Sequence, residues 1–173
     1  MTMQSISKEQ LRVLGNKVMA NCRRMLGFLS NVLENPDHKI PTDYIYELYV
    51  IYTHAVEEYG KFVYLSSLKR NKSGNYDIES DIFKNHKSKF EKALSVMPDN
   101  AKVVFKAPFD AKNFDEDFKI EDTLPTWKNR VNVLNVDINE NGDSTDITFK
   151  VDINDLRKCV CEMYNNFPYE IKN

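Results

Sequence analysis

This chain has few cysteines, no long uncharged run and no strong charge bias. Each of these features excludes a class of protein. Its 173 residues include three cysteines, Cys22, Cys159 and Cys161. These are too few and too unevenly placed for a disulfide framework, which suggests a reducing compartment. No uncharged run reaches about 18 residues, the length of a membrane-spanning helix, and the N-terminal segment has no apolar signal core. We therefore expect a cytoplasmic protein that has no membrane partner.

Charge and motif content exclude further classes of function. The chain carries 24 Lys and Arg against 26 Asp and Glu, a net charge of −2. No basic field over the whole molecule therefore indicates nucleic acid, although a local basic patch stays open. There is no glycine-rich phosphate loop. Cys159 and Cys161 have the only metal-like spacing, but positions i and i+2 of a helix point apart and no second ligand pair accompanies them. We expect no metal and no cofactor.

The most informative feature that is present is a helical pattern over residues 44–65. A fraction of 42% hydrophobic residues allows a real core, and this segment is apolar most of the way round, which is typical of the central helix of a domain. It nevertheless contains Glu57, Glu58 and Lys61 within about a turn and a half. Charges are costly to bury unless they satisfy each other. The segment is therefore the best candidate for a functional site.

Local signals predict three helices in the first half of the chain. The first covers residues 7–34, because Ser7 and Gln10 have the spacing of a capping box and Pro36 prevents continuation. The second is capped by Thr42 or Asp43 and runs to about residue 70.

The third helix is predicted to begin after a loop at residues 71–75. Asp77 caps it, and it continues to residue 97 on the strength of an apolar stripe.

The second half of the sequence has fewer helical signals than the first. Residues 101–127 give no reliable assignment. Residues 131–151 alternate apolar and polar around an Asn-Gly turn, which predicts a β-hairpin, and residues 154–166 predict a last helix. We expect one domain over residues 1–173, mainly α, with a three-helix core at 7–97. It should be a bundle of four or five helices with a small β-hairpin before the C-terminal helix.

Two motifs give the chain a family resemblance. Glu-Glu-x-Gly-Lys at residues 57–61 is followed by Phe-x-x-His-Lys-x-Lys at residues 83–89. In this order the chain resembles the AbiV-type abortive infection proteins of the HEPN helical superfamily, well over residues 7–97 and loosely beyond. The resemblance implies a HEPN-like bundle that often dimerises. It also implies a role in defence against phage, exerted by binding a phage or host protein or RNA.

The chain departs from one pattern of the HEPN superfamily. Its ribonucleases use an Arg-x(4–6)-His motif, and no arginine stands five to seven positions before His38, His54 or His86. The nearest arginine before His86 is Arg70. Ribonuclease activity by that route is therefore not expected.

The polar cluster of the second helix admits two interpretations. Glu57 and Lys61 have the favourable i, i+4 order, and Glu58 lies one turn after His54. These four side chains form either a polar network in a cleft between the second and third helices or a solvated salt bridge. We favour a structural network over a catalytic one. Gly60 in mid-helix costs up to about 1 kcal/mol, which predicts that a neighbouring backbone approaches it closely.

His86 is predicted to lie on the apolar stripe of the third helix, between Phe83 and Phe90. The favoured interpretation is a hydrogen-bonded core histidine. A sharper hypothesis pairs it with Glu57 or Glu58, so that a carboxylate fixes the imidazole tautomer as in general acid–base sites.

Two further hypotheses concern larger sets of residues. A metal-independent ribonuclease, the competing enzymatic function, would use His86, Glu57, Glu58 and Lys61 with Arg23 or Arg24. Phosphates of RNA would be gripped by the basic residues Lys69, Arg70, Lys72, Lys84, Lys87, Lys89 and Lys92, with Arg23 and Arg24. The alternative, which we favour, is that the lysines form the solvated face of the third helix, since such runs are usually exposed.

A homodimer is predicted from the aromatic content. Nine tyrosines and ten phenylalanines exceed what a small bundle must bury. An interface could be lined by Tyr44, Tyr46, Tyr49 and Tyr52. For Tyr49 and Tyr52 the alternative, that they fill the core, is favoured.

Overall fold

The computed structural model describes residues 3–35, 39–41, 44–96 and 153–166. The elements within these residues are β1 (Met3–Ile6), α1 (Lys8–Glu34), α2 (Tyr44–Ser67), β2 (Tyr76–Glu79), a 3₁₀ helix (Ser80–Phe83), α3 (His86–Leu94) and α4 (Ile153–Asn166). In this part of the chain the protein is mainly helical, with four α-helices and one two-stranded antiparallel sheet. The mainly α class is confirmed. The expected hairpin at 131–151, the connection at 101–127 and the caps Thr42 and Asp43 lie outside the described residues.

Helix α1 begins where the sequence predicts. The Ser7 hydroxyl accepts from the Gln10 amide at 3.2 Å, and the Gln10 side chain accepts from the Ser7 amide at 2.9 Å. This reciprocal pair satisfies two amides that a helix start otherwise leaves unpaired. Helix α1 buries one face, formed by Leu11, Gly15, Val18, Met19, Cys22, Leu26, Leu29, Ser30 and Leu33.

Helix α2 is the central helix of the described bundle, as its all-round apolar character predicts. It contacts α1, α3 and α4, and Tyr49, Tyr52 and Leu65 are fully buried. The interpretation of Tyr49 and Tyr52 as core residues is therefore confirmed, whereas Tyr44 is 62% exposed. The side chain of Tyr46 is outside the description. Among the described residues, no helix has both the length and the apolar character needed to cross a membrane.

The C-terminal helix α4 completes this core. It packs mainly on α1 and also touches α2. Its buried residues are Leu156, Cys159, Val160 and Met163. Their recurrence at intervals of three and four is the apolar stripe of an amphipathic helix, and the predicted helix at 154–166 is confirmed to within one residue.

The predicted start of the third helix is wrong. Tyr76 and Ile78 are buried while Asp77 and Glu79 are half-buried, which is the period-2 pattern of a strand. These residues form β2, which pairs antiparallel with β1 so that Met3 faces Glu79. The β1 partner lies seventy or more positions away in sequence, so a local apolar stripe could not reveal it.

The cap of the third helix also differs from the prediction. Asn85 caps α3, accepting from the Ser88 amide at 3.3 Å. Asp77 instead accepts from the Asn71 side-chain amide at 2.8 Å. Asn71 organises the loop that was expected at 71–75 by accepting from the amides of Ser73 and Asn75, both at 3.0 Å. The observed α3 therefore begins at His86 and has 9 residues.

Candidate functional site

A buried carboxylate lies at the junction of α2 and α3. Glu57 is 3% exposed, and its Oε2 is 3.1 Å from Lys89 Nζ and 2.8 Å from His86 Nδ1. The desolvation cost of a carboxylate in such a place is large unless charge-assisted hydrogen bonds offset it. Lys89 and His86 both lie on α3, so these bonds also hold α3 against α2. We call Glu57, His86 and Lys89, with Gly60 beside them, the α2–α3 junction.

Lys89 is a buried cation. It is 4% exposed, so the prediction that it belongs to the solvated basic face is wrong. A buried ammonium needs an anionic partner, and Glu57 supplies it.

His86 stands at the rim of the junction. It is the first residue of α3 rather than a mid-helix residue between Phe83 and Phe90, and its side chain is 35% exposed. The hypothesis that it pairs with Glu57 is confirmed. An ionised carboxylate can only accept, so Nδ1 carries the proton, and in the neutral ring Nε2 is then the acceptor. The carboxylate therefore fixes the tautomer of a partly exposed imidazole.

Gly60 makes the close contact of α2 and α3 possible. A Cβ at this position would lie 1.9 Å from the carbonyl oxygen of Lys89 and 2.7 Å from its carbonyl carbon. The prediction that a neighbouring backbone approaches Gly60 is confirmed, and that backbone is α3. At Gly27 of α1, by contrast, the nearest atom to an added Cβ is Cε2 of Tyr164, at 3.8 Å. Of these two glycines, only Gly60 is required by the packing of the helices.

The other charged residues of α2 do not belong to this junction. Lys61 pairs with Glu58, so the expected Glu57–Lys61 pair is wrong. Successive helix residues are turned by about 100°, so Glu58 cannot face α3 as Glu57 does. Glu58 and His54 instead line a cavity against α1. The single network predicted from the sequence is therefore two separate groups.

The cavity between α1 and α2 includes Asn21 and Met25, which the sequence did not single out, and it is lined by both Arg24 and His54, which no prediction paired. Its volume is about 270 Å³, and it is lined by Asn21, Arg24, Met25, His54 and Glu58. Arg24 and His54 are exposed. Asn21 and Arg24 stand three apart on α1, which puts them on one helix face. That spacing is the one signal in the sequence for this side of the cavity, and it does not identify the partner helix.

The remaining basic candidates differ in their exposure and in their hydrogen-bond partners. Lys84 and Lys92 are exposed, and Arg23 is half-buried. Arg70 donates through Nε to the Tyr76 hydroxyl at 3.0 Å. Lys87 belongs to α3, but its side chain lies outside the description. With Lys89 turned inward, the predicted phosphate-binding face loses one of its members.

An apolar groove opens between α1 and the start of α2. Its volume is about 250 Å³, and Phe28 at its edge is 50% exposed. The other lining residues are Val32, Lys39, Ile40, Pro41, Tyr44 and Leu48.

The three cysteines are free thiols. Burial raises the pKa of Cys22 far above its ordinary value, with the Glu58 charge adding to the effect. Burial and the hydrogen bond that Sγ donates to Glu34 at 2.8 Å raise the pKa of Cys161 to about 11. Within the described ranges no group of three or more His, Cys, Asp or Glu side chains is suited to a metal ion.

Comparisons with protein families, with curated proteins and with solved structures found no match for this chain.

Proposed function

We propose that this chain is an AbiV-like abortive infection protein that acts by binding a phage or host macromolecule. The observation that carries the proposal is the meeting of the two motifs on which the resemblance rests. Glu57 and Gly60 of the first motif contact His86 and Lys89 of the second. Residues 29 or more positions apart thus work as one unit, which gives a physical reason for both motifs to occur together.

The same geometry favours binding over catalysis. Glu57 and Lys89 are almost fully buried and satisfy each other. Such a pair fixes how two helices sit but does not reach a substrate. The junction therefore serves as a rigid support for the surfaces around it.

Phage challenge tests the proposal. At least one phage of a diverse panel should form fewer plaques on bacteria that express the chain than on bacteria that lack it. A culture infected at high multiplicity should still collapse, since abortive infection sacrifices infected cells. Gly60→Ala should abolish protection while Gly27→Ala, produced at the same level, keeps it. Equal plaque counts with and without the chain across the panel would contradict the defence role.

We also propose that the chain works as a homodimer. The exposed aromatic rings of Phe28 and Tyr44, 50% and 62% exposed and on the same apolar groove, support this, because exposed apolar patches mark contact surfaces. Sedimentation velocity should show a dimer that Phe28→Ser and Tyr44→Ser dissociate. Val13→Ser, at a 44% exposed position elsewhere on α1, should leave it intact. A monomer at all concentrations would contradict the dimer.

A second candidate is a metal-independent ribonuclease, and one observation favours it. His86 is partly exposed, and its tautomer is fixed by Glu57, as a general acid–base histidine requires. Pure protein should then cleave tRNA or total RNA in the presence of a chelator. The cleavage should disappear in His86→Ala with the circular dichroism unchanged. Intact RNA across metals and pH would eliminate this candidate.

A further inference from the structure

The cavity between α1 and α2 is separate from the α2–α3 junction and has no part in the function proposed above. Its volume of about 270 Å³ lies below the range of about 300–1,000 Å³ that drug-sized ligands occupy, so it suits a smaller molecule. Its lining side chains are those of Asn21, Arg24, Met25, His54 and Glu58. A guanidinium, a carboxylate and a thioether therefore lie around one small space, and this combination identifies the kind of ligand.

Two opposite charges line the cavity from different helices. Arg24 of α1 is exposed, and among the described residues it forms no ion pair. Glu58 of α2 has a side chain that is 15% exposed and that pairs with Lys61. A carboxylate has about four lone-pair directions, of which Lys61 uses one at Oε1, so Glu58 can accept from a second cation. The cavity thus offers one place for an anionic group and one for a cationic group.

We propose that this cavity binds a free α-amino acid with an apolar side chain. Arg24 binds the α-carboxylate, because its planar fork matches two carboxylate oxygens, and Glu58 accepts from the α-ammonium group. These two groups are attached to one carbon atom of the ligand, so a small cavity can hold both at the same time. Asn21 and His54 line the same space and offer further hydrogen bonds to the ligand.

Ligands of a single charge match this lining less well. A dianion is repelled by Glu58 and a simple amine by Arg24, whereas an uncharged molecule gives neither residue a charged partner. A zwitterion satisfies both. Met25 is half-buried, and its thioether gives an adaptable apolar surface. That surface favours an aliphatic side chain on the ligand over a charged one.

The test is a titration of the ¹⁵N-labelled chain with L-leucine, followed by amide chemical shifts and by calorimetry. Saturable shifts should appear around Asn21, Arg24 and His54. Arg24→Gln and Glu58→Gln should each weaken leucine binding at least about tenfold, because a charge-assisted hydrogen bond is lost. The proposal is overturned if leucine does not saturate the chain, or if either variant binds it like the unaltered chain.

Two analogues that keep the leucine side chain test each charge of the ligand separately. Isocaproate lacks the amino group and isoamylamine lacks the carboxylate, and each should bind at least about tenfold more weakly than leucine. In Glu58→Gln the difference between leucine and isocaproate should largely disappear, because the partner of the amino group is gone. If isocaproate binds the unaltered chain as tightly as leucine, the cavity recognises a carboxylate alone and the proposal fails.

The matched controls are Arg12→Gln and Glu9→Gln. They make the same two changes at an exposed ion pair of α1, and Arg12 lies 12 residues or about 18 Å from Arg24 along the helix. Both should bind leucine like the unaltered chain, and a tenfold loss in either would contradict the assignment to this cavity. None of these results depends on the defence role, because a chain that fails the phage challenge would still bind leucine if the cavity works as described.

Discussion

Two helix contacts in this protein are built in opposite ways. Where α1, α2 and α4 meet, the buried side chains are almost all apolar, as at Leu26, Tyr52 and Val160. At the α2–α3 junction the contact rests instead on the buried Glu57–Lys89 pair, His86 and a glycine with no room for a methyl group. Apolar burial is non-directional and tolerates changes of shape, whereas a buried ion pair tolerates the loss of neither partner. The junction is therefore specified by few atoms, and single substitutions should reveal this.

The largest expected effect comes from Glu57→Gln. It leaves the buried ammonium of Lys89 without a carboxylate, which costs about 3–5 kcal/mol for such pairs. The matched control is Glu58→Gln, the adjacent residue, whose pair with Lys61 is partly exposed and should contribute about 1 kcal/mol or less. Urea unfolding followed by circular dichroism measures both. Equal losses at the two glutamates would refute the distinction between the junction and the α1–α2 cavity.

Gly60→Ala should follow, with a loss of about 3 kcal/mol from overpacking. The new Cβ would meet a backbone oxygen rather than the end of a flexible side chain, so the two helices must separate. Gly27→Ala, with 3.8 Å to its nearest contact, should be neutral or stabilising by up to about 1 kcal/mol because alanine favours a helix. The unfolding midpoint should thus fall for Gly60→Ala and stay or rise for Gly27→Ala, and a similar shift for both variants would show that α3 does not press on Gly60.

A double substitution sharpens the comparison further. If the junction is costly because charges are buried there, Glu57→Leu with Lys89→Met should recover about 2 kcal/mol relative to Glu57→Leu alone, since an apolar pair carries no unpaired charge. The measurement is a double-mutant cycle by urea unfolding. Additive losses would mean that Glu57 and Lys89 do not interact.

Thiol labelling reports on the apolar region independently. The raised pKa of Cys161, about 11 against an ordinary value of 9.0, lowers its thiolate fraction at pH 8 about a hundredfold. Its alkylation by iodoacetamide should therefore be slow and should accelerate about tenfold per pH unit up to about pH 11. Cys22 and Cys159, both buried, should react only when the core opens. Mass spectrometry of peptides measures each site, and fast labelling of Cys22 in the folded chain would contradict the described packing.

The smallest effect is expected at the exposed start of α1. The hydrogen bond from Arg12 lowers the pKa of Glu9 below its ordinary 4.5. A lowered folded-state pKa contributes stability that is present above about pH 4.5 and is lost as the pH falls through the folded value. Glu9→Gln should therefore lower the melting temperature slightly at pH 7 and not at pH 2. A difference that grows on acidification would have the wrong sign.

Parts of the candidate site were predictable because their signals are strong and simple. A glycine inside an apolar helix pointed to the close approach that Gly60 makes, and the acidic pair of α2 with His86 pointed to the Glu57–His86 contact. The same reasoning failed for Lys89, since charge alone suggests exposure, and for the Glu57–Lys61 pair, since ideal spacing does not say which way each side chain turns. The cavity of Arg24 and His54 was missed because its two sides come from different helices.

The sequence by itself determined features that depend on neighbours within a few positions: the Ser7–Gln10 cap, the extent of α1 and the apolar character of α2. Those features follow from backbone hydrogen bonding and from helical period, which act locally. Tertiary structure alone decided that residues 76–79 form a strand, because their partner is at the N-terminus. It also decided that Glu57 and Glu58 face different helices. Both outcomes depend on which sequence-distant surface covers a residue. The free energies of side-chain burial and of strand or charge pairing are determined only when that surface packs against the residue.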